Sequence, residues 1–256
     1  MEANQKIKAW FSFSGKGKMP FEDFTFAEEN ELEFKSVLED NFELIRGELT
    51  ELIKNKNKNI VPYFNRTLAN KAENWTIFPL KFWGLNLHRN QKKCPQTSKL
   101  LERVDGVLSA GFSIMKPETI IDTHVGDSNV FYRCHLGLKI PKEKSFLGIE
   151  VNGVTMRWQE AELFAFCDAQ PHCAWNKSNE ERWILIVDVI RPEFKNKKNR
   201  ICAAMLGVAF TQNLFQRLYI IKHLPTFVRS GMMGFFRLIL LPYLHSRNYL
   251  GRLLFK

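Results

Sequence analysis

Between Trp75 and Ile190 the chain is a succession of short runs rich in apolar, β-branched and aromatic residues, each closed by turn residues. Nothing else in the sequence limits the fold as much. The runs are LSAGFSIM, TII after Pro117, VFYRCHLGLKI, FLGIEV, VTMRW, ELFAFC and RWILIVDVI. Segments of this kind at spacings of roughly 8 to 12 residues are the pattern of an antiparallel barrel or sandwich. VNGV at 151–154 adds an Asn-Gly pair, whose ready access to positive φ makes it the strongest local hairpin signal. Residues 75–194 are therefore expected to form one β domain, giving a fold that is mainly β with flanking helices.

Upstream, Phe34, Leu38, Phe42, Ile45, Leu49 and Leu52 recur at spacings of three and four with charges between them. That period predicts one helix over 28–56. The run KNKNKN at 54–59 ends it, and IVPYFNR follows as an extended piece whose Pro62 bars a central strand. Residues 1–74 thus read as an N-terminal helical region packing on the core.

The charge is divided unevenly. Of 37 Lys and Arg, eleven lie after Glu193, where there is no Asp or Glu; the body before them sets 26 basic residues against all 27 acids. The net charge of +10 therefore belongs to residues 195–256, where AAMLGVAF, LFQRLYIIKHL and GMMGFFRLILLPYL mix cations with apolar stretches too short to span a bilayer. Cations paired with apolar faces suit helices lying in an anionic membrane interface, while the plainer reading packs them on the β domain. A soluble basic stripe for nucleic acid would lack those apolar stretches, so no nucleic-acid partner is expected.

The hydrophobic fraction of 45% and the 22 Phe exclude a disordered chain. Five cysteines without CxxC spacing indicate neither a disulfide framework nor a zinc ribbon, and fit a reducing compartment. The first twenty residues lack the apolar stretch of a secretory signal, so a cytoplasmic protein, peripheral on the inner face of a membrane, is expected.

Of six histidines, His124 in DTHVGDSN, His135 in YRCHLGLKIP and His172 in DAQPHCAWN sit in dense polar settings within the β domain. A solitary His is more often structural than a ligand. Imidazole suits iron, zinc, copper or nickel, and two imidazoles brought together on antiparallel strands, with coordination positions left open, are an arrangement used for oxygen activation. Arg182 opens the apolar strand RWILIVDVI and needs a partner there, because an unpaired buried charge is costly. That partner is either a bidentate carboxylate ligand or a structural ion pair with Asp168 or Asp188.

WTIFPLKFWG, CPQTSKLLE, FSIMKPETIIDTHVGDSN, YRCHLGLKIP, WQEAELFAFCDAQPHCAWN and ERWILIVDVIRPEF, in that order, resemble the catalytic domain of the aspartyl/asparaginyl β-hydroxylase family. Several ordered motifs over about residues 60–194 are far more specific than any one alone. The resemblance implies a double-stranded β-helix, that is, a jelly-roll or cupin-like core, and an Fe(II)- and 2-oxoglutarate-dependent dioxygenase that uses O2. It implies His124 and His172 as metal ligands, and Arg182 with Ser113 on the distal carboxylate of 2-oxoglutarate. Arg133 and His135 would hold its carboxylate and keto end, and Trp75 would border the pocket. Where related oxygenases have His-x-Asp, this chain has His124-Val125-Gly126; Asp127 falls on another face, and Asp168 is expected to orient an imidazole. Cys173 and Cys167 stand where acidic residues are frequent in the family. The implied substrate is an Asp or Asn side chain in a peptide, with a lipid acyl chain, as in lipid A hydroxylases, as the alternative. A non-catalytic membrane-binding protein on the same scaffold is the second alternative, against which the intact ligand residues count.

Overall fold

The computed structural model describes residues 8–11 and 23–217, and beyond them scattered helical positions between 228 and 246. Its strands are β1 (Val61–Pro62), β2 (Trp75–Phe82), β3 (Leu85–Asn86), β4 (Val107–Met115), β5 (Thr119–His124) and β6 (Phe131–Lys139), followed by β7 (Leu147–Val151), β8 (Val154–Met156), β9 (Leu163–Phe166), β10 (His172–Asn176) and β11 (Arg182–Ile190). The larger sheet has the order β1-β2-β4-β11-β6-β9, with β3 beside β2; the smaller has β5-β10-β7-β8. From β4 onward the chain crosses repeatedly between the two sheets, and every pairing is antiparallel. That topology is a jelly-roll, the double-stranded β-helix, closed except at its mouth.

Period-two alternation decides which residues enter the space between the sheets. Along β11, Arg182, Ile184, Ile186 and Asp188 share one face; across the ladder Asp188 meets Arg133, Ile186 meets His135, and Ile184 meets Ser113. The apolar members of that interior are Trp75, Met115, Trp158, Phe166, Ile184 and residues of the smaller sheet. The other face of β11 carries Leu185, Val187 and Val189 into a second core, shared with Leu38, Ile45, Leu49 and Leu52. A strand buried on both faces reads as continuous apolar sequence, and RWILIVDVI does so apart from the two charges that face inward.

The upstream helix is divided. Leu38, Phe42, Ile45, Leu49 and Leu52 are buried as their period predicts, but they belong to α1 (Lys35–Glu39) and α2 (Phe42–Lys54). The break falls at Asp40-Asn41, where the Asn41 side-chain amide donates to the Val37 carbonyl, a local alternative to continuing the helix. Residues 55–74 are not helical bundle: β1 is an edge strand on β2, as Pro62 requires, and Ala69 bridges to Ile121. The VNGV hairpin forms, with Asn152 and Gly153 at φ 48 and 80 joining β7 to β8. Both residues take the positive φ that a tight two-residue turn demands.

Two helices inside the β domain were not expected, α3 (His88–Gln91) and α4 (Pro95–Arg103). Pro95 at the first helical position was the available signal. The α4 N-terminus is capped from outside: the Glu48 carboxylate accepts from the backbone N–H of Gln96 and Thr97, both at 2.9 Å. At the other end of the domain, α5 (Lys198–Arg217) buries Ile201, Cys202, Met205 and Leu206 against Trp83, Phe131 and Ile190. The start of the basic tail is thus part of the body, as the plainer reading had it. LFQRLYIIKHL beyond Arg217, and Met232, Met233, Arg237 and Leu241 of GMMGFFRLILLPYL, lie outside the described residues, whose helices include none long and apolar enough to cross a membrane. All five cysteines are free.

Candidate active site

His172 opens β10 and His124 closes β5, and the antiparallel register pairs them directly, with ring centroids 4.2 Å apart. Each ring is oriented by its own backbone: His172 Nδ1 lies 2.8 Å from the Gln170 carbonyl, and His124 Nδ1 lies 2.8 Å from that of Asp122. A carbonyl only accepts, so each Nδ1 carries a proton, which leaves Nε2 as the atom of each ring available to a metal. Burial, reinforced by the neighbouring His124, pulls His172 down to about 3, so it stays neutral far below neutral pH. Gln170 is held in turn by its side-chain amide, which donates to the Asp23 carbonyl.

Gly126 explains the missing His-x-Asp carboxylate. A Cβ built there would fall 1.6 Å from Asp168 Oδ2, and the Gly126 N–H donates to the Asp168 carbonyl at 2.8 Å. Asp168 therefore fills the space a carboxylate at 126 would enter, with its Oδ1 3.6 Å from His172 Nε2. The same Oδ1 accepts from Arg133 Nη1. Arg133 also grips Asp188 through Nε and Nη2, at 2.8 and 3.0 Å. Burial works against the Arg133 charge, but Asp168 and Asp188 outweigh it and hold the guanidinium well above its ordinary value. Three of its five N–H donors are committed to protein carboxylates, and two remain.

Arg182 is the opposite case. It is 2% exposed, and among the described residues it pairs with no carboxylate; the ion pair with Asp168 or Asp188 does not form because Arg133 holds both. Its Nη2 donates to Ser113 Oγ at 3.3 Å, and its Nε is buried without a partner. Burial alone pulls it down to about 9, which at neutral pH still leaves a cation. Ser113 Oγ also accepts from Trp75 Nε1 at 3.1 Å; in both bonds it is the acceptor, which leaves its own hydrogen to donate. Trp75 stacks on Tyr63 with centroids 3.8 Å apart.

His135 stands between these two arginines. Its Nδ1 accepts from Trp158 Nε1 at 3.2 Å, while its Nε2 is buried without a partner. Burial first, then the charges of Arg182 and Arg133, push it well below the ordinary histidine value. It is a neutral ring whose remaining N–H has no partner among the described residues.

The structure thus brings together all the residues singled out from sequence: His124 and His172 at the mouth, with Arg182, Ser113, His135, Arg133 and Trp75 on the inner face of the larger sheet. Sequence reasoning missed Asp188 as the main partner of Arg133. It also missed Trp158, whose ring carries the Arg182 guanidinium 4.8 Å above its centre, and Tyr63, whose hydroxyl is pushed up by burial. The alternating pattern of RWILIVDVI was a usable signal for Asp188; nothing local marked Trp158. An open groove of about 790 Å³ lined by Lys139, Glu160, Glu180 and Trp183 contains none of these residues.

Among the described residues no three His, Cys, Asp or Glu side chains are grouped as a metal site, so the candidate donor set is two imidazoles. That set suits a divalent transition metal with open positions. The unpartnered N–H groups of Arg182 and His135 suit an acidic ligand beside it. The fold and site together define a jelly-roll with a two-histidine mouth above a cationic pocket.

The model of the aspartyl/asparaginyl beta-hydroxylase family matches residues 39–192, and the chain belongs to that family. It is 31% identical over 161 residues to an ornithine lipid ester-linked acyl 2-hydroxylase of Rhizobium tropici, covering 60% of this chain and 56% of that one. It is 33% identical over 176 residues to the aspartyl/asparaginyl beta-hydroxylase of Homo sapiens, covering 66% of this chain and 22% of that one. The chain therefore spans between about a fifth and just over half the length of these relatives. Among solved structures, a prolyl-4-hydroxylase of Pseudomonas putida is similar with a TM-score of 0.44 at 13% identity, over 62% of this chain and 98% of that one.

Proposed function

We propose that this chain is an Fe(II)- and 2-oxoglutarate-dependent dioxygenase that hydroxylates an unactivated C–H bond of an organic substrate. The observation that carries the reading is the pairing of two imidazoles, each bonded through Nδ1 to a backbone carbonyl, with a buried arginine that has no carboxylate of its own among the described residues. His124 and His172 would hold the ferrous ion. Arg182 and the Ser113 hydroxyl take the distal carboxylate of 2-oxoglutarate, since a guanidinium fork matches a carboxylate. The near carboxylate and keto group fall to His135 Nε2–H and the two uncommitted donors of Arg133. Trp75 and Trp158 wall the pocket and limit water. Bound iron supplies the activation of O2 that couples decarboxylation of 2-oxoglutarate to succinate with oxygen insertion into the substrate. The protein's share is orientation: backbone carbonyls fix both imidazoles, and Asp168, held by Arg133 and Gly126, stands beside His172 as a hydrogen-bond acceptor.

The substrate reading we favour is a lipid acyl chain, with the enzyme peripheral on the inner face of a membrane. Phe235, Leu238, Ile239 and Tyr243, all in helical positions of the acid-free tail, expose 59, 75, 49 and 42% of their surface. Apolar groups among cations suit an anionic lipid surface. The relative named for an ornithine lipid fits the same reading. The other reading, a peptide Asp or Asn, rests on the relatives named for that activity.

The test is succinate release from 2-oxoglutarate by purified protein with Fe(II), followed by mass analysis of lipid extract and of acidic peptides incubated with it. Turnover that is lost in His172→Ala, with one oxygen gained by the lipid, is expected. An oxygen gained by the peptide alone refutes the substrate reading, and turnover undiminished in His172→Ala refutes the mechanism.

A further inference from the structure

Trp158 lies outside the residues assigned above to metal or cosubstrate, yet it is 1% exposed and touches two of them. Its Nε1–H donates to His135 Nδ1 at 3.2 Å, and its face carries the Arg182 guanidinium at 4.8 Å. The indole and imidazole planes differ by only 19° while their centroids are 6.0 Å apart, so the rings lie edge to edge and not face on face. An indole N–H and an imidazole lone pair both lie in their ring planes, and this is the arrangement that lets them meet.

We propose that Trp158 is a positioning residue that fixes His135 in the tautomer protonated on Nε2, so that His135 serves the cosubstrate as a hydrogen-bond donor. The inference rests on the function proposed above. Indole N–H can only donate. Were His135 protonated on Nδ1, two buried donors would face each other at 3.2 Å, which disfavours that tautomer by at least about tenfold. With Nδ1 occupied, the proton of the neutral ring sits on Nε2, the buried atom without a protein partner. A bare Nε2 would present a lone pair to a carboxylate oxygen, and the two would repel. Phe166 packs edge-on against both His135 and His172 at 5.1 and 5.4 Å. One indole thereby fixes the direction in which His135 offers its proton.

The experiment is long-range ¹⁵N–¹H correlation NMR of the histidine rings in metal-free protein, wild type and Trp158→Phe. It is paired with anaerobic calorimetry of 2-oxoglutarate binding to the Fe(II)-loaded forms. The wild type is expected to show His135 with a bare Nδ1 and a protonated Nε2. Trp158→Phe keeps an aromatic face but loses the N–H; its His135 is expected to populate both tautomers and its affinity for 2-oxoglutarate to fall about tenfold. The wild-type spectrum needs neither cosubstrate nor a variant that folds. An Nδ1-protonated His135 in the wild type overturns the role of Trp158, as does a Trp158→Phe protein unchanged in both spectrum and affinity. A wild type with the Nε2-protonated ring that binds no 2-oxoglutarate overturns the functional reading alone.

Discussion

Two arginines face the same interior from neighbouring strands, and their surroundings are opposite. Arg133 on β6 has two carboxylates within hydrogen-bonding reach, one gripped through two nitrogens, while Arg182 on β11 has one serine hydroxyl and a buried Nε with no partner. A buried charge left unpaired is destabilising, so a chain that retains one is holding it for something outside itself. The comparison separates an arginine that builds the site from an arginine that waits for a ligand. It also gives each one a distinct response to mutation.

The largest expected effect comes from uncoupling Arg133. Asp188→Ala leaves that guanidinium with Asp168 alone, and should cost about 3 kcal/mol in urea unfolding of the metal-free protein. Removing Arg182 should do the reverse to stability: Arg182→Met is expected to leave metal-free stability unchanged or raised. The same variant should weaken 2-oxoglutarate binding about a hundredfold, which calorimetry reads directly. A loss of stability in Arg182→Met as large as that in Asp188→Ala would erase the distinction between the two.

His172 extends the comparison to a group kept neutral by burial. Its folded value is about 3 against about 6.5 in an unfolded chain, so above pH 6.5 neither state binds the proton and its contribution is level. Below 6.5 the unfolded chain takes up a proton that the folded ring refuses. Stability should therefore fall by up to about 1.4 kcal/mol per pH unit as the pH drops from 6.5 toward 3, and His172→Asn should flatten that part of the profile. The smallest effect is a control far from the site: Glu48→Ala removes the cap of α4 and should cost about 1 kcal/mol without changing cosubstrate affinity.

What was legible in the sequence was what local rules govern. Strand texture marked an antiparallel β domain, Asn152-Gly153 marked its hairpin, and the ordered motifs of the resemblance marked the jelly-roll with His124, His172, Arg182 and Ser113. The partners were not legible, because sheet register assigns them: Arg133 and Asp188 are 55 residues apart and meet only when β6 lies beside β11. Trp158 reaches His135 across 23 residues from the irregular stretch after β8, where no period predicts a direction. The unbroken helix over 28–56 failed for a smaller reason, a side-chain amide at Asn41 that competes for a backbone carbonyl. Long-range pairings decide which charge is satisfied, and that decision carries the functional reading.

The central claim is that two imidazoles and one unsatisfied guanidinium form a joint site for a metal and a dicarboxylate. Anaerobic calorimetry of Fe(II) followed by 2-oxoglutarate, on wild type and on His124→Ala/His172→Ala, tests it most directly. The account predicts one metal and then one 2-oxoglutarate per wild-type chain, with the metal step absent in the double variant. An unchanged metal step in that variant would contradict it.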